Sequence, residues 1–254
     1  MKNLIILMTA FYTLNSFAWT LMYSDARKYK TSTEISVYYD NQTCSNAGLT
    51  ASSIQSLTEE AVDTYWNSVA TTSLKLNSKS ILNTGLGTSA TSAQALNYIA
   101  GVSNNSILII CADNLSSNNT LAVGTMTCSG DTCAGAVVLN NKNGTVLASA
   151  DHETVVATIA HEIGHAVGIG HTSVKGALMY YDATGVTYKS LAQDDIDAVT
   201  YLYPNDKSLG GLGGACGSVD FDRKNRINFF TSMLLGLFLM IGVAQSSKKY
   251  RYFK

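Results

Sequence analysis

The sequence predicts one main α+β domain, and two observations support this. Of the 254 residues, 46% are hydrophobic and the formal net charge is only -1, which suits a globular chain with one sizeable core. Short β-branched and aromatic runs also alternate along the chain with segments of helical spacing. Because the charge is close to neutral, nothing favours binding to a nucleic acid. We expect the domain to occupy residues 19–205.

The first half of the domain contains two predicted strands and two predicted helices. "EISVYYD" (34–40) is typical of a strand, and residues 56–70 have the Ser/Thr start, early acids and apolar spacing of a helix. A short helix is predicted over 92–102. "SILIICA" (106–112) follows as a buried strand.

The second half begins with a predicted strand pair and ends with two helices. The strands are "TLAVGTMTC" (120–128) and "AGAVVLNN" (134–141), joined across a turn between two cysteines. A long helix is predicted over 149–168, with Asp151 as its N-cap. The last helix covers 190–203 and starts at Ser190.

The segment "HEIGHAVGIGH" (161–171) contains three of the four histidines of the chain. His161 and His165 are one helical turn apart, so both imidazoles can reach a single ion. Two glycines before His171 allow the helix to stop and the chain to turn, which brings this third histidine back to the same point. Three neutral nitrogens with one open position predict a catalytic zinc ion, since structural zinc sites usually have four protein ligands.

Helical periodicity places these histidines opposite the core. Val155, Ile159 and Ile163 recur every four residues and form the core-facing row, whereas His161 lies about 200° from it. The remaining histidine, His152, is expected at the surface or as a capping residue.

Glu162 lies between the two helical histidines, where its carboxylate can address a water molecule on the metal. This arrangement predicts peptide-bond hydrolysis by a zinc-activated water, with Glu162 as general base and then as general acid toward the departing amine. Four further segments extend the pattern: "ALMY" with Met179, "LAQDDIDAVTYLY", "AVDTYWNSV", and "NTLAVGTMTC" with the strand after it.

Together these residues resemble the metzincin metalloproteases and, within them, the matrixin family. The resemblance spans most of residues 34–203. It implies a zincin-like catalytic domain, in which a twisted, mainly parallel sheet with an antiparallel edge strand is combined with a long active-site helix and a C-terminal helix. It also implies that His161, His165 and His171 bind zinc and that Met179 forms a hydrophobic floor below the metal.

The resemblance further implies a protein or peptide substrate, bound as an added strand along Leu121 and Ala122. Vertebrate matrixins hold a second, structural zinc with three more histidines, but only His152 remains here. One zinc ion is therefore expected, and calcium is left open. Tyr181 stands where the family normally has proline after the Met-turn, which gives it two alternative roles: a hydrogen bond to the oxyanion, or the wall of the specificity pocket.

Both ends of the chain are expected to lie outside the domain. Residues 1–18 resemble a signal peptide, with a buried N-terminal strand or helix as the alternative. After the domain come a Gly-rich linker (206–226), a transmembrane helix (227–245) and a basic cytoplasmic tail (246–254).

These C-terminal parts resemble the three-part sorting signals of Gram-negative bacterial surface proteins. The resemblance implies an inner-membrane anchor, a processing protease that cuts near the glycines, and outward sorting or release. A permanent tether is the alternative.

Export makes the five cysteines candidates for disulfides. Cys128 and Cys133 flank a short turn, and Cys44 with Cys111 forms the second plausible pair, although spacing does not fix the connectivity. Cys216 lies among the glycines and suits attachment or modification.

Two classes of function remain open at this point. The first is an exported zinc endopeptidase. The second is a non-catalytic surface adhesion or binding module that keeps the metal-binding fold. Glu162 favours the enzyme, because a binding module needs no base beside the metal.

Overall fold

The computed structural model describes residues 18–30, 34–130, 132–182 and 190–205. The expected signal peptide (apart from Ala18), the Gly-rich linker, the transmembrane helix, the basic tail and Cys216 lie outside these residues. Within the described ranges, no helix has the length and apolar character needed to cross a membrane.

Seven strands and four α-helices make up the described part of the chain. The strands are β1 (Trp19–Leu21), β2 (Ile35–Asp40), β3 (Leu76–Leu82), β4 (Ser106–Ala112), β5 (Ala122–Ser129), β6 (Thr132–Asn140) and β7 (Ile169–Thr172). The helices are α1 (Ala51–Ala61), α2 (Ser92–Val102), α3 (His152–Ala166) and α4 (Gln193–Leu202).

Five of the strands form one sheet in the order β3-β2-β4-β6-β5. The first four are parallel, and β5 runs antiparallel to β6 at the edge of the sheet. This agrees with the predicted α+β domain with a mainly parallel sheet and an antiparallel edge strand. The small second sheet, β1 with β7, was not predicted.

Helices cover both faces of the large sheet. On one face α2 packs against Leu108, Ile110 and Val138. On the other, α1 and α3 pack against the opposite side chains of the same strands, including Ile109 and Val137. The alternation of side chains along the strands thus builds two cores, because the central strands β4 and β6 are buried on both faces.

The helix predicted over 56–70 has different limits in the structure. It begins at Ala51, where Thr50 and Ser53 form a reciprocal capping box, and α1 ends at Ala61. One π-helical turn, Val62–Trp66, continues it. The last helix also starts later than predicted, since Ala192 rather than Ser190 is its N-cap residue.

The described residues contain two disulfides, and both match the expected pairs. Cys44 is bonded to Cys111, and Cys128 to Cys133. The second bond joins β5 to β6 beside their connecting turn, where the two cysteines are direct cross-strand partners.

Candidate active site

Helix α3 carries two of the three clustered histidines and Glu162. The Asp151 carboxylate accepts the N–H of Thr154 and caps the helix, as predicted. The helix ends before Gly168, whose φ of 101° is a conformation that favours glycine. A side chain at Gly168 would also meet the carbonyl oxygen of Arg27, 2.8 Å from the position of a Cβ.

The three predicted zinc ligands converge. One ring nitrogen from each of His161, His165 and His171 lies within 4.8 Å of the others, and the Nε2 atoms of His165 and His171 are 3.1 Å apart. On the other side of two rings, Nδ1 of His161 faces the carbonyl of Leu178 at 2.7 Å, and Nδ1 of His165 faces that of Ile169 at 2.8 Å. Donation from Nδ1 to these carbonyls leaves both Nε2 atoms as acceptors for a metal.

His171 reaches the cluster because it lies on the short strand β7. Strand β1 pairs with β7, and the hydroxyl of Thr20 donates to the carbonyl of His171 at 2.7 Å. Gly170 lets the two strands approach, since a Cβ there would be 3.0 Å from the backbone of Leu21. The third ligand is therefore positioned by residues near the start of the described chain.

All three histidines favour the neutral form. Burial lowers the pKa of His161 to about 4 and that of His165 to about 3, the latter with a contribution from the neighbouring His161. Burial also lowers the pKa of His171. Because zinc binds neutral imidazole, this donor set fits a zinc ion with three protein ligands.

Glu162 is buried beside the histidine cluster. Its carboxylate accepts the backbone N–H of Gly124 on β5 at 2.5 Å. Burial raises the pKa of Glu162 to about 7, and the bond from Gly124 opposes this rise. Sequence reasoning did not identify Gly124, because the contact joins two elements that are distant in the chain.

Met179 lies directly under the active-site helix. A Cβ at Gly164 would be 2.5 Å from its sulfur and 2.9 Å from a ring carbon of Trp66, so this packing requires a glycine in α3. The Trp66 indole donates to the carbonyl of Ala160 at 2.8 Å and thereby fixes the same helix.

Asp195 is a site residue that the sequence reasoning missed. Its buried carboxylate accepts the backbone N–H groups of Leu178, Met179 and Ala192 at 2.8, 3.0 and 2.9 Å. Burial raises the pKa of Asp195, and these three bonds oppose the rise. Asp195 was placed inside the predicted helix 190–203, whereas it lies in the first turn of the observed helix, and its backbone partners were not visible in the sequence.

A cleft of about 1110 Å³ passes over the histidine cluster. Leu121 and Ala122 line it, as does Tyr181, which is 63% exposed and packs against the ring of Tyr180 at 4.5 Å. The carbonyl of Leu121 accepts the N–H of Asn140 and is directed into the sheet. His152 lies away from the cluster: it is exposed and contacts Glu60 at 2.9 Å, in agreement with its expected surface position.

The sequence of this region is similar to known metalloproteases. Residues 103–204 match the family model described as Matrixin. Karilysin of Tannerella forsythia is 36% identical over 74 residues, which cover 29% of this chain and 16% of karilysin. Metalloendoproteinase 2-MMP of Arabidopsis thaliana is 39% identical over 67 residues, or 26% of this chain and 17% of that protein.

Neutrophil collagenase of Homo sapiens is 48% identical over 46 residues, which are 17% of this chain and 10% of the collagenase. The chain thus covers less than a fifth of the length of each of these relatives. The comparisons support a matrixin-like metalloprotease domain, and the matched region contains the histidine cluster, Glu162 and Met179.

Proposed function

We propose that this chain is an exported zinc-dependent endopeptidase. The observation that carries the proposal is the convergence of three neutral histidines on one point, with the buried carboxylate of Glu162 beside them. The similarity to the matrixin model over residues 103–204 supports the same class of reaction.

The zinc ion would be held by His161, His165 and His171. When bound, zinc supplies Lewis-acid polarisation of a peptide carbonyl and of a water molecule. The protein contributes the neutral state of the three imidazoles and the orientation of two of them, through the carbonyls of Leu178 and Ile169.

Glu162 moves the proton in this proposal. A group with a pKa of about 7 can accept a proton from water and return it to the departing amine near neutral pH. The N–H of Gly124 holds the carboxylate in the cleft, so that little rearrangement is needed before the transfer. Met179 and Asp195 do not bind the metal in this proposal. The Asp195 carboxylate accepts the N–H of Met179 and so fixes the segment whose Leu178 carbonyl orients His161.

The substrate would bind as an extended strand along the free edge of β5. Antiparallel pairing alternates, so the bond between Leu121 and Asn140 implies that the backbone of Ala122 and Gly124 is directed away from β6. The Gly124 N–H that donates to Glu162 has this direction. Of the two residues predicted for substrate binding, Ala122 therefore offers its backbone, and Leu121 lines the cleft. Such an edge suits cleavage within an extended peptide.

The test is hydrolysis of casein and of a peptide library by the full chain loaded with zinc. We expect a chelator to abolish cleavage and added zinc to restore it. His165→Gln should remove activity, whereas His152→Gln, at the exposed histidine, should keep it. Cleavage that survives both the chelator and His165→Gln would contradict the proposal.

The same preparations give the metal content. We expect one tightly bound zinc per chain, because His152 is the only histidine outside the cluster. Elemental analysis with two tightly bound zinc ions would require a second ligand set.

The alternative is a binding module that keeps the metal but does not catalyse hydrolysis. The buried Glu162 favours the enzyme, because burial of a carboxyl group that has no function would only lower the stability of the fold. Zinc binding by the full chain without cleavage of any library peptide would favour the binding module.

The proposal includes export through the signal peptide at residues 1–18. The two disulfides support it, since such bonds persist in oxidising compartments. We further propose that the Gly-rich, apolar and basic C-terminal segments form a processing signal. Intact-mass analysis of the protein from its native cells should then lack "MLLGLFLMIG", and recovery of the full-length chain would favour a permanent tether.

A further inference from the structure

The segment that precedes the large sheet forms one end of the cleft. Thr20, Leu21 and Met22 line the cleft on the side of His171. The N–H of Met22 donates to the carbonyl of Gly168 at 3.0 Å, which continues the attachment of β1 beside β7. The chain then passes toward β5.

At β5, the hydroxyl of Tyr23 donates to the carbonyl of Met126 at 2.6 Å. The bond joins residues that are 103 positions apart in the sequence, and the Tyr23 side chain is partly buried in this place. The guanidinium of Arg27 lies 4.8 Å from the centre of the Tyr23 ring, and Asp25 holds that guanidinium at 2.8 Å. The ring therefore has contacts at both its hydroxyl and its face.

The position of Met126 on β5 gives this bond its significance. Along the antiparallel strand, every second residue directs its N–H and C=O to the free edge: Ala122, then Gly124, then Met126. A peptide added to this edge pairs with these residues in turn. At Met126 the carbonyl that it would need already accepts a bond from Tyr23.

We propose that Tyr23 ends the substrate-binding edge of β5 and so limits how many substrate residues can pair there. This inference rests on the proposed endopeptidase function. The N–H of Gly124 already donates to Glu162, so an added strand pairs with the N–H and carbonyl of Ala122 and with the carbonyl of Gly124. This pairing engages about three consecutive residues of the added strand. Substrate residues beyond the one opposite Gly124 lose the next backbone bond and turn away from the sheet. Tyr23 is thus a specificity-determining residue that acts on substrate length at one end of the cleft.

The experiment measures kcat/KM for two series of peptides that share one cleavable core. One series is extended by single alanines at the N-terminal side, and the other at the C-terminal side. For the wild-type chain, one of the two series should stop improving at a definite length. For Tyr23→Ala, the same series should gain about threefold to tenfold from further residues, as expected for one additional backbone hydrogen bond. The other series should be the same in both proteins.

Tyr23→Phe is the second variant, because it keeps the ring beside Arg27 and frees only the Met126 carbonyl. It should give a smaller gain, about twofold to threefold, in the same series. Tyr98→Phe, on α2 at the other face of the sheet, is the matched control and should reproduce the wild-type profile. Unchanged length profiles in both Tyr23 variants would overturn the inference. Absence of any cleavage by the wild-type chain would instead count against the proposed function.

Discussion

Helices α2 and α3 lie on opposite faces of the same sheet and differ in the kinds of side chain that they bury. The buried residues of α2 are Ala95 and Ile99, which belong to an apolar cluster with strand residues such as Leu108, Ile110 and Val138. Helix α3 is buried on almost every side, and its buried set includes the polar Glu162 and His165 together with the apolar row. The helix on one face of the sheet thus buries apolar side chains, whereas the helix on the other face also buries ionisable ones.

The difference indicates that α3 is the helix in which groups needed for catalysis lower the stability of the fold. Burial of an ionisable group opposes folding unless its charge is lost or compensated. The shifted pKa values of His161, Glu162 and His165 all belong to α3, and burial is their largest cause. A variant on α3 should therefore change catalysis and stability together, and a variant on α2 should change stability alone.

The largest effect is expected at Glu162. Glu162→Gln removes the proton acceptor but not a metal ligand, so turnover should fall by about 10²-fold to 10⁴-fold while one zinc ion stays bound. Ile99→Val, on α2, should leave turnover unchanged and cost about 1 kcal/mol of stability. Steady-state kinetics, zinc analysis and denaturant unfolding measure the three quantities. Near-normal turnover in Glu162→Gln would remove the proposed role of this residue.

Stability in the absence of metal gives the second test. The folded state raises the pKa of Glu162 from 4.5 to about 7 and so favours the protonated carboxyl group. Its contribution to stability is fully present below about pH 4.5 and is lost as the pH rises through 7. Metal-free Glu162→Gln should therefore exceed the metal-free wild type at pH 8 by up to about 3 kcal/mol, and this gap should close toward pH 4.5.

Urea unfolding of the two proteins in chelator, across this pH range, measures the gap. The histidine titrations are common to both proteins and largely cancel in the difference. Glu34→Gln, at an exposed position, is the matched control and should stay within about 0.5 kcal/mol of the wild type. A gap that widens at low pH would contradict the buried, protonated form of Glu162.

Each helix also contains one glycine, and alanine substitution at the two positions sharpens the comparison. In α3, a Cβ at Gly164 would press on Met179 and Trp66, so Gly164→Ala should cost about 1 to 3 kcal/mol. In α2, a Cβ at Gly101 would meet no atom within 4 Å, so Gly101→Ala should gain about 0.5 to 1 kcal/mol. Thermal and urea unfolding of the two variants give the signs directly. Equal changes in unfolding free energy at the two glycines would mean that the close packing of Gly164 against Met179 and Trp66 does not affect stability.

The smallest effect is expected at Tyr181, which lines the cleft outside both helices. If its hydroxyl donates to the oxyanion, Tyr181→Phe should lower kcat about tenfold with little change in KM. Tyr201→Phe is the matched control, since Tyr201 is also exposed but lies outside the cleft lining. An unchanged kcat in Tyr181→Phe would leave Tyr181 as part of the cleft wall only.

The sequence predicted best what depends on neighbours in the chain. The convergence of His161 and His165 follows from their spacing on one helix, and the Asp151 cap follows from its position before the first turn. The buried row of Val155, Ile159 and Ile163 was correct for the same reason. The opposite side of the helix is not open to solvent as a whole, since β5 packs beside it.

The parts that were missed depend on contacts between distant segments. Strand β1 has no strong pattern of its own and exists because it pairs with β7. The bond from Gly124 to Glu162 joins residues 38 positions apart, and no local spacing indicates it. Helix α1 begins early because Thr50 and Ser53 cap each other, a signal that was present in the sequence but lay outside the apolar periodicity.

Because Asp195 follows the three histidines in the chain, the histidine site can be completed only late in synthesis. A nascent chain that has emerged only as far as residue 182 already contains all three histidines. It still lacks the acceptor for the N–H groups of Leu178 and Met179, which lies 17 and 16 residues further on. Two buried donors would remain unpaired at that stage, so the segment that orients His161 is not yet fixed. The metal-binding geometry is therefore completed by one of the last helices to be translated within the domain, and a chain truncated before Asp195 should bind zinc more weakly than the full chain.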